Sequence, residues 1–343
     1  MLEAKRAQPD RVVLLAGNRD INKLRLAREL DVRPSSGTRG DLLRSIFSNT
    51  MGARDAFVHR QTELASDGRP ASDEDVVDSW LEDVARGGAH TRYLAAAVLA
   101  HREGETLFVH GGVTADNLGV VPGRPSRIAP SVDAWIRALN DFYAESLSAF
   151  LVGRCAPNGT PLWHDLLAYQ APLPGSALNQ ASVVYARPGD SLGNPMLPAE
   201  HVVAALRSSE IRRVVIGHTP SGDCPAIVRD GTGFELVLAD NSYGRIERGS
   251  RVTIDAAGVL RIEGTTVLDS GAHEAVATEL GRESSSAATF VGLRDESTGR
   301  LVKARLARGD YLTFRALEGR RVEQLAATEA ELARATLVVP KHA

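Results

Sequence analysis

Three short segments of this chain set metal-capable side chains beside glycine: Gly17-Asn18, His110-Gly111-Gly112 and Gly217-His218. An amide oxygen and two imidazole nitrogens make a mixed N/O donor set that suits borderline divalent cations such as Mn, Fe or Zn. Glycine next to a ligand lets the backbone turn sharply and approach an ion or anion closely. Each segment also sits at the end of an apolar run: Arg11-Val-Val-Leu-Leu-Ala16, Thr106-Leu-Phe-Val-His110 and Arg213-Val-Val-Ile-Gly217. Runs of that length without polar alternation read as buried strands. In open α/β sheets, ligands collect at the carboxyl ends of the strands. A single histidine after a strand is more often a satisfied loop residue, and Gly-His-Thr-Pro alone reads as a turn. The recurrence of one topological station, three times in order, carries the expectation.

The elements that must position these residues follow from the same reading. A helix is expected over Ile21–Leu30, with Leu24, Leu26, Ala27 and Leu30 near one face. Residues 32 to 90 read as helices and loops, with a turn at Pro34 to Gly40 and a helix start at Ser72-Asp-Glu-Asp75. Further helices are expected over Tyr93–His101, Ser131–Val152 and Pro198–Ser208. Residues 171 to 198, rich in Pro, Gly, Ser and Asn, read as a long surface loop near something functional. A fourth buried strand, Phe234–Ala239, ends at Asp240-Asn241-Ser242-Tyr243-Gly244, and hairpins are expected around Asp255–Gly258 and Glu296–Gly299. Residues 285–343 form a small β-rich accessory segment with a helix over Thr328–Ala335, following a main domain over 1–284.

The ordered set of motifs resembles the calcineurin-like metallophosphoesterases, which include the phosphoprotein phosphatases. The matching segments are Gly17-Asn18-Arg19-Asp20, Val109-His110-Gly111-Gly112 and Gly217-His218-Thr219-Pro220, and the resemblance spans about residues 10 to 265. It implies a mixed α/β fold, a β-sandwich flanked by helices, and hydrolysis of phosphate esters. In that reading two divalent cations (Mn, Fe, Zn or Mg) roughly 3.5–4 Å apart clamp the phosphoryl oxygens and make a bridging hydroxide nucleophilic. Carried over residue by residue, Asn18, His110 and His218 become ligands of the second metal, Arg19 and Asp20 catalytic residues, and Arg19, Asp240 and Tyr243 substrate contacts. The implied partners are a phosphorylated small molecule, a nucleotide or a phosphoprotein.

Two departures bear on activity. No Asp-x-His occurs in the chain, and none of the Gly-Asp pairs at Gly40, Gly189, Gly222 and Gly309 has the second Asp that Gly-Asp-x-x-Asp requires. The resemblance assigns those motifs to the first metal and the bridging carboxylate, so one of the two cation sites is expected to remain. The chain is expected to be N-terminally truncated relative to the family and impaired in turnover, with a non-catalytic pseudophosphatase acting as a binding or regulatory module as the alternative. Arg19 stands where the family usually has His. A guanidinium stays charged and so cannot act as a general acid near neutrality, but it clamps phosphate bidentately. Asp20 is expected to orient it.

The remaining candidates read more simply. Asp240 is equally suited to a β-turn. Lys23 and Arg25 belong to an exposed face, His164 to packing, and His59, His90, His101 and His201 to surface or helix-face roles. Cys224 reads as a small buried thiol. The 343 residues carry 40 Lys+Arg against 43 Asp+Glu, a net charge of −3, so nothing advertises a nucleic-acid surface. Apolar runs are far shorter than the roughly 18 residues a bilayer needs. Two cysteines give no disulfide framework, and the first residues lack the pattern of a signal peptide, so a cytoplasmic location is expected.

Overall fold

Strands and helices alternate through a mixed α/β chain in the computed structural model, which describes residues 1–31, 36–124, 131–242, 245–281, 290–318 and 321–341. Pro34 and Ser35 of the expected turn, Tyr243, and the first residues of the segment beginning at 285 lie outside the described residues. The chain folds as two compact units: 1–99 with 139–177, and 100–138 with 178–343.

The first unit opens with α1 (Leu2–Ala7), β1 (Leu14–Leu15), α2 (Asn18–Asn22), a single 3₁₀ turn and α3 (Leu26–Glu29). The helix expected as one piece over 21–30 is thus broken into short segments. A helical layer follows: α4 (Arg39–Asn49), α5 (Ala56–Ser66) and α6 (Asp73–Val84). Thr38 and Ser72 start α4 and α6, their hydroxyls accepting the amides of Asp41 and Asp75 while those carboxylates accept the Thr38 and Ser72 amides in return. That reciprocal pairing satisfies donors a helix start leaves open. The apolar faces of the three helices, with Leu43, Phe47, Phe57, Leu64, Val76 and Val77, close one core together with Leu26 and Leu30.

Next come α7 (Ala89–Ala95) and β2 (Ala97–Val98), and the unit also takes in the end of α8 (Val132–Leu151) and all of α9 (His164–Tyr169). A single helix over 93–101 is not formed. Alanines favour helix, but the segment pairs as strand: Leu14 and Leu15 run parallel to Ala97 and Val98, and the Tyr93 hydroxyl donates to the Leu15 carbonyl at 2.8 Å. Tertiary pairing overrides local propensity here.

In the second unit, β3 (Ala100–Glu103) and β4 (Thr106–Val109) form a hairpin, α10 (Glu200–Ser208) precedes β5 (Arg213–Pro220), and β6 (Ala226–Arg229) and β7 (Glu235–Asp240) follow. The five strands make one sheet in the order β3-β4-β5-β7-β6, with β4, β5 and β7 mutually parallel. A three-stranded antiparallel sheet contains β8 (Arg251–Ile254), β9 (Leu260–Val267) and β10 (His273–Leu280). A last sheet holds β11 (Arg294–Asp295), β12 (Leu301–Arg305), β13 (Tyr311–Leu317) and β14 (Arg321–Ala327), with α11 (Glu329–Leu332) before its final strand β15 (Leu337–Val338). The three sheets share one core: Val237 and Ile227 pack in a cluster with Ile262, Val276, Val302 and Leu312. Among the described residues no helix is long and apolar enough to cross a membrane.

Candidate active site

The two histidines belong to neighbouring strands, His110 just past the end of β4 and His218 inside β5, which continues beyond the strand end expected at Gly217. β4 and β5 pair in parallel through Val109 and Ile216, with His110 directly after β4 and His218 within β5 where its pairing to β7 is interrupted. Their rings lie 5.3 Å apart between centroids, inclined at 53°. Gly217 explains how they come so close. Its amide donates to the His110 carbonyl at 2.9 Å, and a Cβ at that position would stand 3.3 Å from His110 Nδ1. After Ile216 the ladder between β5 and β7 loses register and resumes only at Pro220 opposite Asp240. His218 occupies that irregularity with φ of 56°. A non-glycine residue in the left-handed region is strained by on the order of 1–3 kcal/mol and persists only where its surroundings over-determine it. His218 is buried, at 8% exposure, and the hydroxyl of the adjoining Thr219, at 2%, has no hydrogen-bond partner among the described residues.

The glycines after His110 admit a second segment. A Cβ on Gly111 would stand 2.8 to 2.9 Å from backbone atoms of Val183, Tyr185 and Ala186, and one on Gly112 would meet Pro188 at 2.8 Å. The Gly111 amide donates to the Val183 carbonyl at 2.6 Å, and Asn117 Nδ2 bridges the carbonyls of Gly112 and Gln180 at 2.8 and 3.1 Å. That clamp sets the Tyr185 ring 5.0 Å from the His218 ring. Tyr185 was not singled out in the sequence; the composition of residues 171–198 was the only pointer to it. Asp240 ends β7, and its carboxylate accepts the Ser242 amide at 2.8 Å, the turn-forming bond its sequence context suggested. Tyr243 lies outside the described residues.

Asn18, Arg19 and Asp20 belong to the first unit and the histidines to the second. The three stations therefore do not share one sheet: β1 lies in a two-stranded ladder with β2, because Leu14 and Leu15 pair with Ala97 and Val98. Asn18 is the first residue of α2. The Asp20 carboxylate accepts the Gly17 amide at 2.9 Å and so caps the helix start, whereas it was expected to orient Arg19. The exposed Arg19 instead reaches Gly52, where a Cβ would lie 3.5 Å from its Nη2. His90 lies half-buried on α7, and its Nε2 lies 2.7 Å from the Asp20 carbonyl, to which it must donate. Burial lowers the His90 pKa against the opposing pull of that bond. Burial also lowers the pKa of Lys23, with Asp20 opposing, and pushes that of the Tyr93 phenol up to about 12.

A metal centre needs converging donors. Among the described residues no three His, Cys, Asp or Glu side chains group as a metal would require. A two-cation centre therefore does not fit the described donor set. The imidazole pair with its orphaned threonine hydroxyl is the arrangement best suited to a single ion or a phosphoryl oxygen.

No family model and no curated protein matches the chain. Among solved structures it is similar to a cold-active protein tyrosine phosphatase, at 14% identity and a TM-score of 0.38 over 80% of this chain and 60% of that one. It is also similar to the cold-active protein-tyrosine phosphatase of a psychrophilic Shewanella species, at 13% identity and a TM-score of 0.33 over 76% of this chain and 77% of that one. The chain thus spans less than two thirds of the first of these structures.

Proposed function

We propose that this chain is a phosphoester-hydrolase-type protein whose metal centre is incomplete, binding one divalent cation weakly through His110 and His218 and turning over phosphate esters slowly or not at all. The observation that carries this reading is the pair of imidazoles on adjacent parallel strands, 5.3 Å apart between ring centroids, with one held at φ of 56°. Side chains held against backbone preference cluster at ligand-binding sites. When bound, such an ion supplies polarisation of a phosphoryl oxygen and acidification of water. The chain's own residues provide the rest. Neutral imidazoles of His110 and His218 offer nitrogen lone pairs to such an ion. Asp240 lines the substrate in this reading. The substrate class is a phosphorylated small molecule, a nucleotide or a phosphoprotein.

The second reading, a non-catalytic module that binds a phosphorylated ligand, is favoured by the missing third carboxylate, cysteine or histidine donor among the described residues. Two measurements separate the readings. Calorimetric titration of the full chain with MnCl₂ is expected to show one weak site, weakened by at least about 10-fold in His110→Ala or His218→Ala. Hydrolysis of p-nitrophenyl phosphate with added Mn is expected near background. Two tight sites, or brisk Mn-dependent turnover lost in His218→Ala, would overturn the incomplete centre. Absence of any Mn binding would leave only the binding module.

A further inference from the structure

Lys303 is the least expected residue in the second unit. It lies on β12 with no exposure at all, in a segment whose alternation would place a lysine in solvent. A β-bulge turns it inward: Val302 pairs with Thr313 and Ala304 with Leu312, so Lys303 has no residue of β13 opposite it. Its amine passes over the Phe314 ring at 4.8 Å and donates to the Ser221 carbonyl, with Gln324 Oε1 at 3.3 Å. Burying an amine where Leu or Met would fit is unfavourable for stability unless the group is needed for what it holds.

What it holds is the chain just beyond His218. The Ser221 amide donates to the Asp240 carbonyl at 2.9 Å, and the Ser221 hydroxyl lies 3.1 Å from the carbonyls of Leu238 and Asp240. Gly222 follows with φ of 80°, and a Cβ there would press to 2.8 Å on Gln324 Oε1 and 3.5 Å on Lys303 Nζ. Gln324 Nε2 donates to Asp223 Oδ2 at 2.8 Å and to the Val267 carbonyl at 3.0 Å. The backbone from Ser221 to Asp223 is thereby fixed by β12 and β14 on one side and by β7 on the other. His218 sits three residues upstream in the left-handed conformation, with Gly217 tied to His110.

We propose that Lys303 is a positioning residue of the candidate site: from the last sheet, its bond to the Ser221 carbonyl anchors the chain that keeps His218 in its strained conformation beside His110. The inference rests on the reading of His218 as a functional side chain, and it makes the last sheet part of the site's framework.

The test is backbone amide exchange, followed by NMR on the full chain, in Lys303→Met, Lys303→Arg and Val302→Ala. In Lys303→Met the amides of Gly217 and Ser221 are expected to exchange on the order of tenfold faster than the general loss of stability accounts for, as read from amides of β4 and β13. Lys303→Arg, which keeps a donor, is expected to restore much of that protection. Val302→Ala removes core contacts on the same strand and is expected to speed all of these amides alike. Equal acceleration everywhere in Lys303→Met, or unchanged protection at Gly217 and Ser221, would overturn the proposal. Should Lys303→Met fail to fold, Gln324→Met removes the second partner of the amine, and a several-fold selective loss at Ser221 is expected; a uniform change refutes it. Mn titration of the same variants is a separate arm. If the parent binds no Mn, the metal reading fails while amide exchange still decides the role of Lys303.

Discussion

Two strand ends in this molecule carry polar residues after glycine and are built in opposite ways. At Gly17-Asn18 the chain enters a helix with ordinary geometry, Gly17 at φ of −93°, and the Asp20 carboxylate three residues on satisfies the open amide. At Gly217-His218 the chain breaks register, enters the left-handed region, and is secured by partners far away in sequence: His110, Asp240, Lys303 and, through Asp223, Gln324. The first end is self-sufficient and the second depends on the whole unit. A locally capped helix start stores little strain and needs no further explanation. A strained residue with distant supports signals that its conformation was worth maintaining.

The sharpest way to break this contrast is to remove the group through which distant strands are tied to this segment. Asp223, fully buried, accepts the amides of Val267 and Arg245, the Thr266 hydroxyl and the Gln324 amide. Burial works to raise its pKa, but these donors together outweigh it and hold the carboxyl below the usual carboxylate range. Asp223→Ala strands several buried donors at once, and a loss of about 3 kcal/mol in chemical denaturation is expected. A loss below about 1 kcal/mol would show that the network is slack. The pH dependence has a definite sign. A depressed native pKa means the contribution of Asp223 is complete above its unfolded value near 3.9 and fades as pH falls through the native value. Acid unfolding of the parent is therefore expected to begin below about pH 4, with a shallower slope in Asp223→Asn.

What was legible in the sequence follows the same division. The stations themselves could be read, because a glycine beside Asn or His at the end of an apolar run is a local pattern. The hairpin turns and the helix near residue 330 were legible for the same reason. Lys303 was not, because Leu301-Val-Lys-Ala-Arg305 alternates like a half-exposed strand and only the bulge, set by pairing with β13, turns the lysine inward. Tyr185 was hidden similarly: its place beside His218 comes from the fit of residues 183–188 against Gly111 and Gly112. The end of the helix after Tyr93 was misread because the pairing of residues 97–98 with residues 14–15 spans more than eighty positions. Short-range chemistry is written in order along the chain, whereas long-range support exists only after folding.

A smaller effect is expected at the self-sufficient end. Asp20→Ala removes the side-chain acceptor from the Gly17 amide and is expected to destabilise by about 1 kcal/mol, the ordinary value of a helix cap. Asp20→Asn retains an acceptor and is expected to recover most of it, as read from thermal or denaturant melts. A loss near that of Asp223→Ala would erase the distinction between the two strand ends.

The smallest effect concerns His90, whose imidazole donates from Nε2 to the Asp20 carbonyl. Burial favours its neutral form, so the native pKa lies below the unfolded value of about 6.5. Over that interval the unfolded chain binds the proton first, and folding stability must fall as pH drops. The change is expected to stay under about 1 kcal/mol between pH 7.5 and 5.5, because the carbonyl bond offsets part of the desolvation. His90→Gln keeps a donor for the Asp20 carbonyl without titrating, and is expected to flatten that part of the pH–stability curve while leaving stability at pH 7.5 nearly unchanged. An identical slope in parent and variant would mean that proton uptake by His90 does not differ between the folded and unfolded chains. The contact of His90 with α2 would then be inert to pH.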